Sequence, residues 1–207
     1  MKKIFVLGDS ISIHYGPYLE QYLNEIMQYD RKGSNEDPGD LNYASLCNGG
    51  DSHDVLNYIN ENVDTQYDIL LLNCGLHDIK ITNKKQIDEQ QYANNLNSIV
   101  KAVKANGKKL IWVSTTPVDD WRHNGLCKEF SRFNDDVVKY NKIAVSVMHE
   151  HQIPIIDLYS FTKNLGNTVY EDHVHFLKPI RKLQAAFIAG AISLYENIRW
   201  EEDCIYE

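Results

Sequence analysis

Ser10 follows Gly8 and Asp9 directly after a short apolar run at residues 3–7, and far along the chain Asp172 and His175 stand three residues apart in "YEDHVHF" (170–176). A hydroxyl, an imidazole and a carboxylate are the three groups that nucleophilic acyl transfer combines as nucleophile, base and orienting group. On a tight turn, a carboxylate at i meets an imidazole at i+3 and holds the tautomer whose other nitrogen is free to take the serine proton. A fourth requirement is a donor for the oxyanion. Gly50, in "NGGDS" (48–52), can present a backbone N–H with no side chain in the way. Each residue alone also has a plain structural explanation: a turn serine, a helix-capping aspartate beside a surface histidine, a turn glycine.

For these residues to meet, the fold must bring together the ends of separate segments. The apolar runs at 3–7, 67–75 and 109–117 predict buried strands; "YASLC" (43–47) and "IPIIDLY" (153–159) complete a set of five. Helical spacing is expected over 17–29, with Pro17 in the first turn, over Val55, Ile59 and Val63, and over 88–105, 131–150 and 179–198, the last with Pro179 at its start. Strands alternating with helices specify a parallel five-stranded sheet covered on both faces, a three-layer α/β/α sandwich, read as one domain over residues 1–207. Ligands of such sheets bind beyond the carboxyl ends of the strands. Gly8-Asp9-Ser10, Asn48–Asp51, Asn73–Asp78, Thr115–Pro117 and the 170–176 segment all follow predicted strands and should share one edge.

Further candidates fall on the same edge. Asp9, beside the serine, is expected to brace the turn or touch substrate. His14 and His173 are candidate pocket residues. Trp121 and Arg122 lie in the long loop 117–136 and suit a sugar or other polar alcohol, although a solvated loop with a packed Trp fits as well. Histidines and carboxylates are present but no compact metal-ligand spacing is seen, so no metal is expected. No Gly-x-Gly-x-x-Gly or Walker loop is present, and no cofactor is implied.

The formal charge of −8 disfavours sequence-independent nucleic-acid binding and docking on anionic membranes. No apolar run approaches a membrane span. The apolar start is too short for a secretory signal, which predicts a cytoplasmic protein or one whose leader lies outside this chain. Cys47, Cys74, Cys127 and Cys204 match no metal or redox motif and read as free thiols. Oligomeric state is not legible.

"GDS" after the first strand, Gly50 in "NGGDS", "GLHD" (75–78) after the central strand and "DHVHF" (172–176) before the last helix occur in the order and spacing of the GDSL-like, or SGNH, hydrolases. Asn141 in "VVKYNKIAV" and the run "IPIIDLYSF" also resemble that family, and the resemblance extends from residue 3 to about 195. It implies a flavodoxin-like sandwich and a cofactor-independent serine ester hydrolase. Ser10 would be the nucleophile, His175 the base and Asp172 its orienting group, with the backbone N–H groups of Ser10 and Gly50 as oxyanion donors. The substrate would be a small ester, favoured as an acetylated carbohydrate by the family's bacterial members and by the Trp/Arg loop. An acyl thioesterase or lysophospholipase is the enzymatic alternative, and a catalytically weakened carbohydrate-binding protein the non-enzymatic one. A phospho-receiver domain shares the strand pattern but needs an acceptor Asp where Asn73 stands and a Lys where Asp157 stands.

One position departs from the family pattern. The central block usually reads Gly-x-Asn-Asp, with the asparagine amide as the third oxyanion donor; here it is Gly75-Leu76-His77-Asp78. A neutral imidazole still carries one N–H. His77 can therefore replace the donor, serve substrate binding only, or mark a decayed site. Asp78 would fix its tautomer or cap the following segment.

Overall fold

The structure is a computed structural model that describes residues 1–63 and 65–197. Cys204 and the last position of the expected final helix, Ile198, lie outside the described residues.

Five parallel strands form one sheet: β1 (Lys3–Leu7), β2 (Gln28–Arg31), β3 (Ile69–Leu72), β4 (Lys109–Val113) and β5 (Ile155–Ile156), in the order β2-β1-β3-β4-β5. This is the flavodoxin-like order, in which the chain reverses direction across the sheet between β1 and β3. The apolar runs of β1, β3 and β4 lie in the middle, buried on both faces, as an uninterrupted hydrophobic strand requires. Helices cover both faces. On one, α1 (Ser10–Leu23) packs on α7 (Lys178–Tyr195), which also meets α6 (Leu158–Lys163). On the other, α2 (Ser52–Glu61), α3 (Glu89–Ala105) and α5 (Asn134–Glu150) lie side by side. A short α4 (Asp120–Leu126) occupies the loop after β4. No described helix is long and apolar enough to cross a membrane. Cys47, Cys74 and Cys127 are free thiols.

Two expected elements are corrected. The segment 43–47 is not a strand; it lies in the loop between β2 and α2, where Ser45 and Asn48 bond to each other and to Lys32. The second strand is Gln28–Arg31, a polar edge strand paired only with β1, so it never needed an apolar run. Likewise α1 starts at Ser10 and not near residue 17. Its buried stripe is Ile11, Tyr15, Leu19 and Leu23, one residue every turn, and Pro17 lies inside it on the exposed side. Asp9 makes the early start possible by accepting the Ile11 N–H at 3.0 Å as N-cap. The fifth strand is shorter than expected because Asp157 caps α6 immediately after it.

Register aligns the strand ends. Leu7 stands beside Leu72, Leu72 beside Trp112, and Val113 beside Ile156. Gly8, Asn73, Ser114 and Asp157 therefore leave the sheet along one edge, and the loops that follow them face the same side.

Candidate active site

Ser10 occupies the first turn of α1 and is 4% exposed. Its backbone N–H is one of the helix's initial donors, which lack intrahelical acceptors and carry the positive end of the helix dipole. Its Oγ lies 2.9 Å from His175 Nε2. On the far side of that ring, Nδ1 lies 2.6 Å from Asp172 Oδ2. The other Asp172 oxygen accepts the backbone N–H groups of Val174 and His175, each at 2.8 Å. Burial raises the Asp172 carboxyl, but the His175 ring and these two N–H groups outweigh it and hold the group well below the usual carboxylate range. The turn itself is pinned at its base by Tyr170–Phe176 bridging and by the Glu171 N–H to His175 carbonyl bond. The hydroxyl, imidazole and carboxylate thus form one unbroken hydrogen-bonded chain, with the carboxylate oriented before any ligand arrives.

The loop after β2 is drawn over the end of β1 by the Gly49 N–H, which donates to the Gly8 carbonyl at 2.9 Å. The next residue, Gly50, has φ +76, and its N–H donates to Asn48 Oδ1 at 3.0 Å. An oxyanion at this position must share that N–H with Asn48 or take it over. Asp51 then caps α2 through a reciprocal box with Asp54.

His77 is 4% exposed, and burial first, then the charges of Lys80, Arg132 and His175, drive its pKa well below the usual value. Its imidazole is neutral and carries one N–H. It lines a cavity of about 450 Å³ with Tyr43, Asp51, Lys80, Gln86 and Phe130 among its walls. Asp78 does not reach the His77 ring. It accepts the Ser52 N–H at 2.9 Å, and so ties the His77 loop to the start of α2.

The remaining expected contacts sort by burial. Asp9 braces the turn as expected, capping α1, and only the expected substrate contact is corrected, because at 1% exposed it offers no surface to a ligand. Burial raises its carboxyl despite the Ile11 N–H and the charges of Arg132 and His175, and its Oδ2 has no hydrogen-bond partner among the described residues. His14 packs edge-on against His175, ring centres 4.7 Å apart, and burial lowers its pKa to about 4. Trp121 is 87% exposed on α4 and does not line the His77 cavity; Arg122, next to it, is half-buried and within electrostatic reach of Tyr170.

His173 stands between two groups: its Nδ1 lies 3.0 Å from His123 Nδ1, and its ring meets the His175 ring edge-on with centres 5.8 Å apart, so that one ligand atom from each of Asp172, His173 and His175 also falls within 4.8 Å of the others. Together with Cys127, His123 and His173 place three nitrogen and sulfur atoms within 4.8 Å of one another, a grouping made by the fold and not by sequence spacing. The His123–Cys127 half was visible as a one-turn helical spacing, but His173 comes from a distant turn.

Arg132 carried no sequence signal. It is buried, donates from Nε to the Leu76 carbonyl at 2.7 Å, and its Nη1 has no hydrogen-bond partner among the described residues. Burial lowers its pKa to about 10, so it remains a cation beside the block that carries His77. Asn141, singled out by the resemblance, braces the end of β4: its amide accepts the Thr115 N–H at 2.9 Å and donates to the Thr115 carbonyl at 2.8 Å.

The family model for GDSL-like lipase/acylhydrolase matches residues 4–186. Among solved structures, a lipase/acylhydrolase from Enterococcus faecalis is similar at 19% identity and TM-score 0.73, covering 94% of this chain and 97% of that one. An acetyl xylan esterase is similar at 14% identity and TM-score 0.70, over 92% and 99%. A GDSL-like lipase from Bacteroides thetaiotaomicron is similar at 17% identity and TM-score 0.67, over 94% and 89%. No curated protein matches the chain.

Proposed function

The chain belongs to the GDSL-like lipase/acylhydrolase family, whose members hydrolyse esters, and on that premise we propose that it is a serine esterase acting through an acyl-enzyme on Ser10. The observation that carries this reading is the hydrogen-bonded chain from Asp172 through His175 to Ser10, at 2.6 and 2.9 Å. Ser10 Oγ attacks the ester carbonyl while His175 Nε2 takes its proton. Asp172 accepts from Nδ1–H and stabilises the imidazolium that forms. The carbonyl oxygen becomes an oxyanion held by the Ser10 N–H, the Gly50 N–H and the neutral His77 ring. Collapse expels the alcohol, protonated by His175. Water, deprotonated by the same nitrogen, then attacks the acyl-enzyme and releases the acid.

The substrate proposed is a short-chain, acetyl-type ester of a carbohydrate. The cavity beside His77 supports this: Lys80, Asp51 and Gln86 offer hydrogen bonds to hydroxyl groups, and Tyr43 and Phe130 offer flat apolar faces. An acetyl xylan esterase shares the fold, which makes acetylated xylan the first polysaccharide to assay.

A second reading, a carbohydrate-binding protein of weakened catalysis, draws on the Gly50 N–H being engaged by Asn48. A fluorophosphonate probe separates the two. The esterase reading expects labelling of the wild type and none of Ser10→Ala; a folded wild type that takes no label overturns it. Rates on p-nitrophenyl acetate, butyrate and octanoate beside acetylated xylan then test the acyl preference. Equal rates on octanoate would exclude a short-acyl pocket and favour a lysophospholipase or thioesterase.

A further inference from the structure

We propose that His123, Cys127 and His173 form a binding site for a zinc-type divalent metal ion, which clamps α4 to the turn that carries His175. The ligand atoms converge from two elements. His123 and Cys127 lie one helical turn apart at the end of α4, where i and i+4 side chains share a face. His173 approaches from the 170–176 turn. The two Nδ1 atoms are 3.0 Å apart, and all three ligand atoms lie within 4.8 Å of one another. A tetrahedral zinc-type ion needs its ligand atoms roughly 3.3–3.6 Å apart, given metal–nitrogen and metal–sulfur bonds of about 2.0–2.3 Å. The observed 3.0 Å separation and 4.8 Å bound bracket that spacing.

The chemistry of the set narrows the ion. Two imidazoles and a thiolate suit zinc and its borderline neighbours, and not magnesium or calcium, which take oxygen. Without the ion, two neutral rings that meet nitrogen to nitrogen can share only one proton. The ion accepts both lone pairs. On binding, Cys127 releases its thiol proton to solvent and each imidazole carries its proton on Nε2. His123 is buried and Cys127 half-buried, so the site is partly shielded from water. The Arg132 guanidinium lies within electrostatic reach of all three residues, and the thiolate offsets its charge. Three protein ligands leave the fourth position to water.

His173 is two residues from His175, so the ion would hold the base-bearing turn against α4 without touching Ser10. The site is independent of the reaction proposed above, and its test reads metal and not turnover. Cobalt(II) titrated into chelator-treated, fully reduced protein is expected to give a thiolate-to-cobalt charge-transfer band in the near ultraviolet and visible bands of tetrahedral intensity. Cys127→Ser, at a half-exposed position, is expected to lose the charge-transfer band and bind cobalt at least about tenfold more weakly. His123→Gln should weaken binding likewise, and Ser10→Ala should leave the spectrum unchanged. Circular dichroism verifies that each variant is folded. Absence of the band in the wild type, its persistence in Cys127→Ser, or cobalt binding that depends on Asp172 and not on Cys127 would overturn the proposal.

Discussion

Asp78 accepts the backbone N–H of Ser52 at 2.9 Å, joining the loop that carries His77 to the loop that carries Gly50 through one buried carboxylate. Burial pushes that carboxyl up to about 7, from the ordinary 3.8 of an aspartate. Between those values the folded state binds the proton and the unfolded state does not, so this group's contribution to stability falls as pH rises. Asp78→Asn keeps a carbonyl acceptor and cannot ionise. Its stability relative to wild type is expected to improve by about 1–3 kcal/mol between roughly pH 5 and pH 8. Urea midpoints of both proteins at the two pH values check this; a difference that does not change with pH would show that Asp78 does not titrate in the fold.

His77 tests the oxyanion arrangement and also the opposite pH limb. Its ring is held neutral by burial first and then by nearby cations. His77→Asn supplies an amide N–H in its place and is expected to keep measurable esterase activity. His77→Ala should lose about 2–4 kcal/mol of transition-state stabilisation, roughly 30- to 900-fold in kcat. An alanine variant as active as wild type would remove His77 from the mechanism. The unfolded chain protonates this histidine near 6.5 while the fold resists it. The contribution is therefore fully present above that pH and is lost as pH falls below it. His77→Asn should flatten the loss of stability on acidification, measured by denaturant titration. His14, lowered to about 4 by burial, adds a limb of the same sign.

Gly50 must stay glycine for two separate reasons. Its φ is +76, and a Cβ there would lie 2.2 Å from Asp54 Oδ2 and 2.7 Å from Ala44 Cβ. Gly39 has a similar φ of +61 but open space around it. Gly39→Ala should cost about 1 kcal/mol, the backbone penalty alone. Gly50→Ala should cost roughly 2–4 kcal/mol and lower kcat as well, because the clash moves the N–H offered to the oxyanion. Equal destabilisation by the two substitutions would mean that Asp54 yields freely.

Legibility in the sequence followed burial. Residues 4–7 and 69–72 sit mid-sheet and are apolar throughout, so their type shows in a single run. Gln28–Arg31 borders the sheet with one partner, and its side chains are half-solvated; nothing in its composition distinguishes it from a loop. The segment 43–47 reads as a strand from its apolar residues, yet only Cys47 is buried; Tyr43 and Leu46 are exposed at 50% and 67%, so composition there does not report burial. The start of α1 was obscured by Ser10 and Ser12, two hydroxyls buried at the active edge where a surface helix would carry charge. Asp172 and His175 were legible together because the turn that joins them is local. Arg132 and the approach of His173 to His123 are products of tertiary folding across distant segments, and no local pattern announces them.

Trp121 separates a sugar contact from an idle surface residue. It is 87% exposed at the start of α4, so Trp121→Ala should change stability by less than about 0.5 kcal/mol. If its indole stacks on a carbohydrate, the loss should appear in KM for acetylated xylan, by about three- to tenfold, with kcat nearly unchanged. p-Nitrophenyl acetate, which has no sugar to stack, should show the same KM for both proteins. The comparison needs both substrates, because a shift in the whole α4 segment would raise the two KM values together. Unchanged KM on xylan would place carbohydrate recognition with the His77 cavity, where Tyr43 and Phe130 supply the aromatic faces.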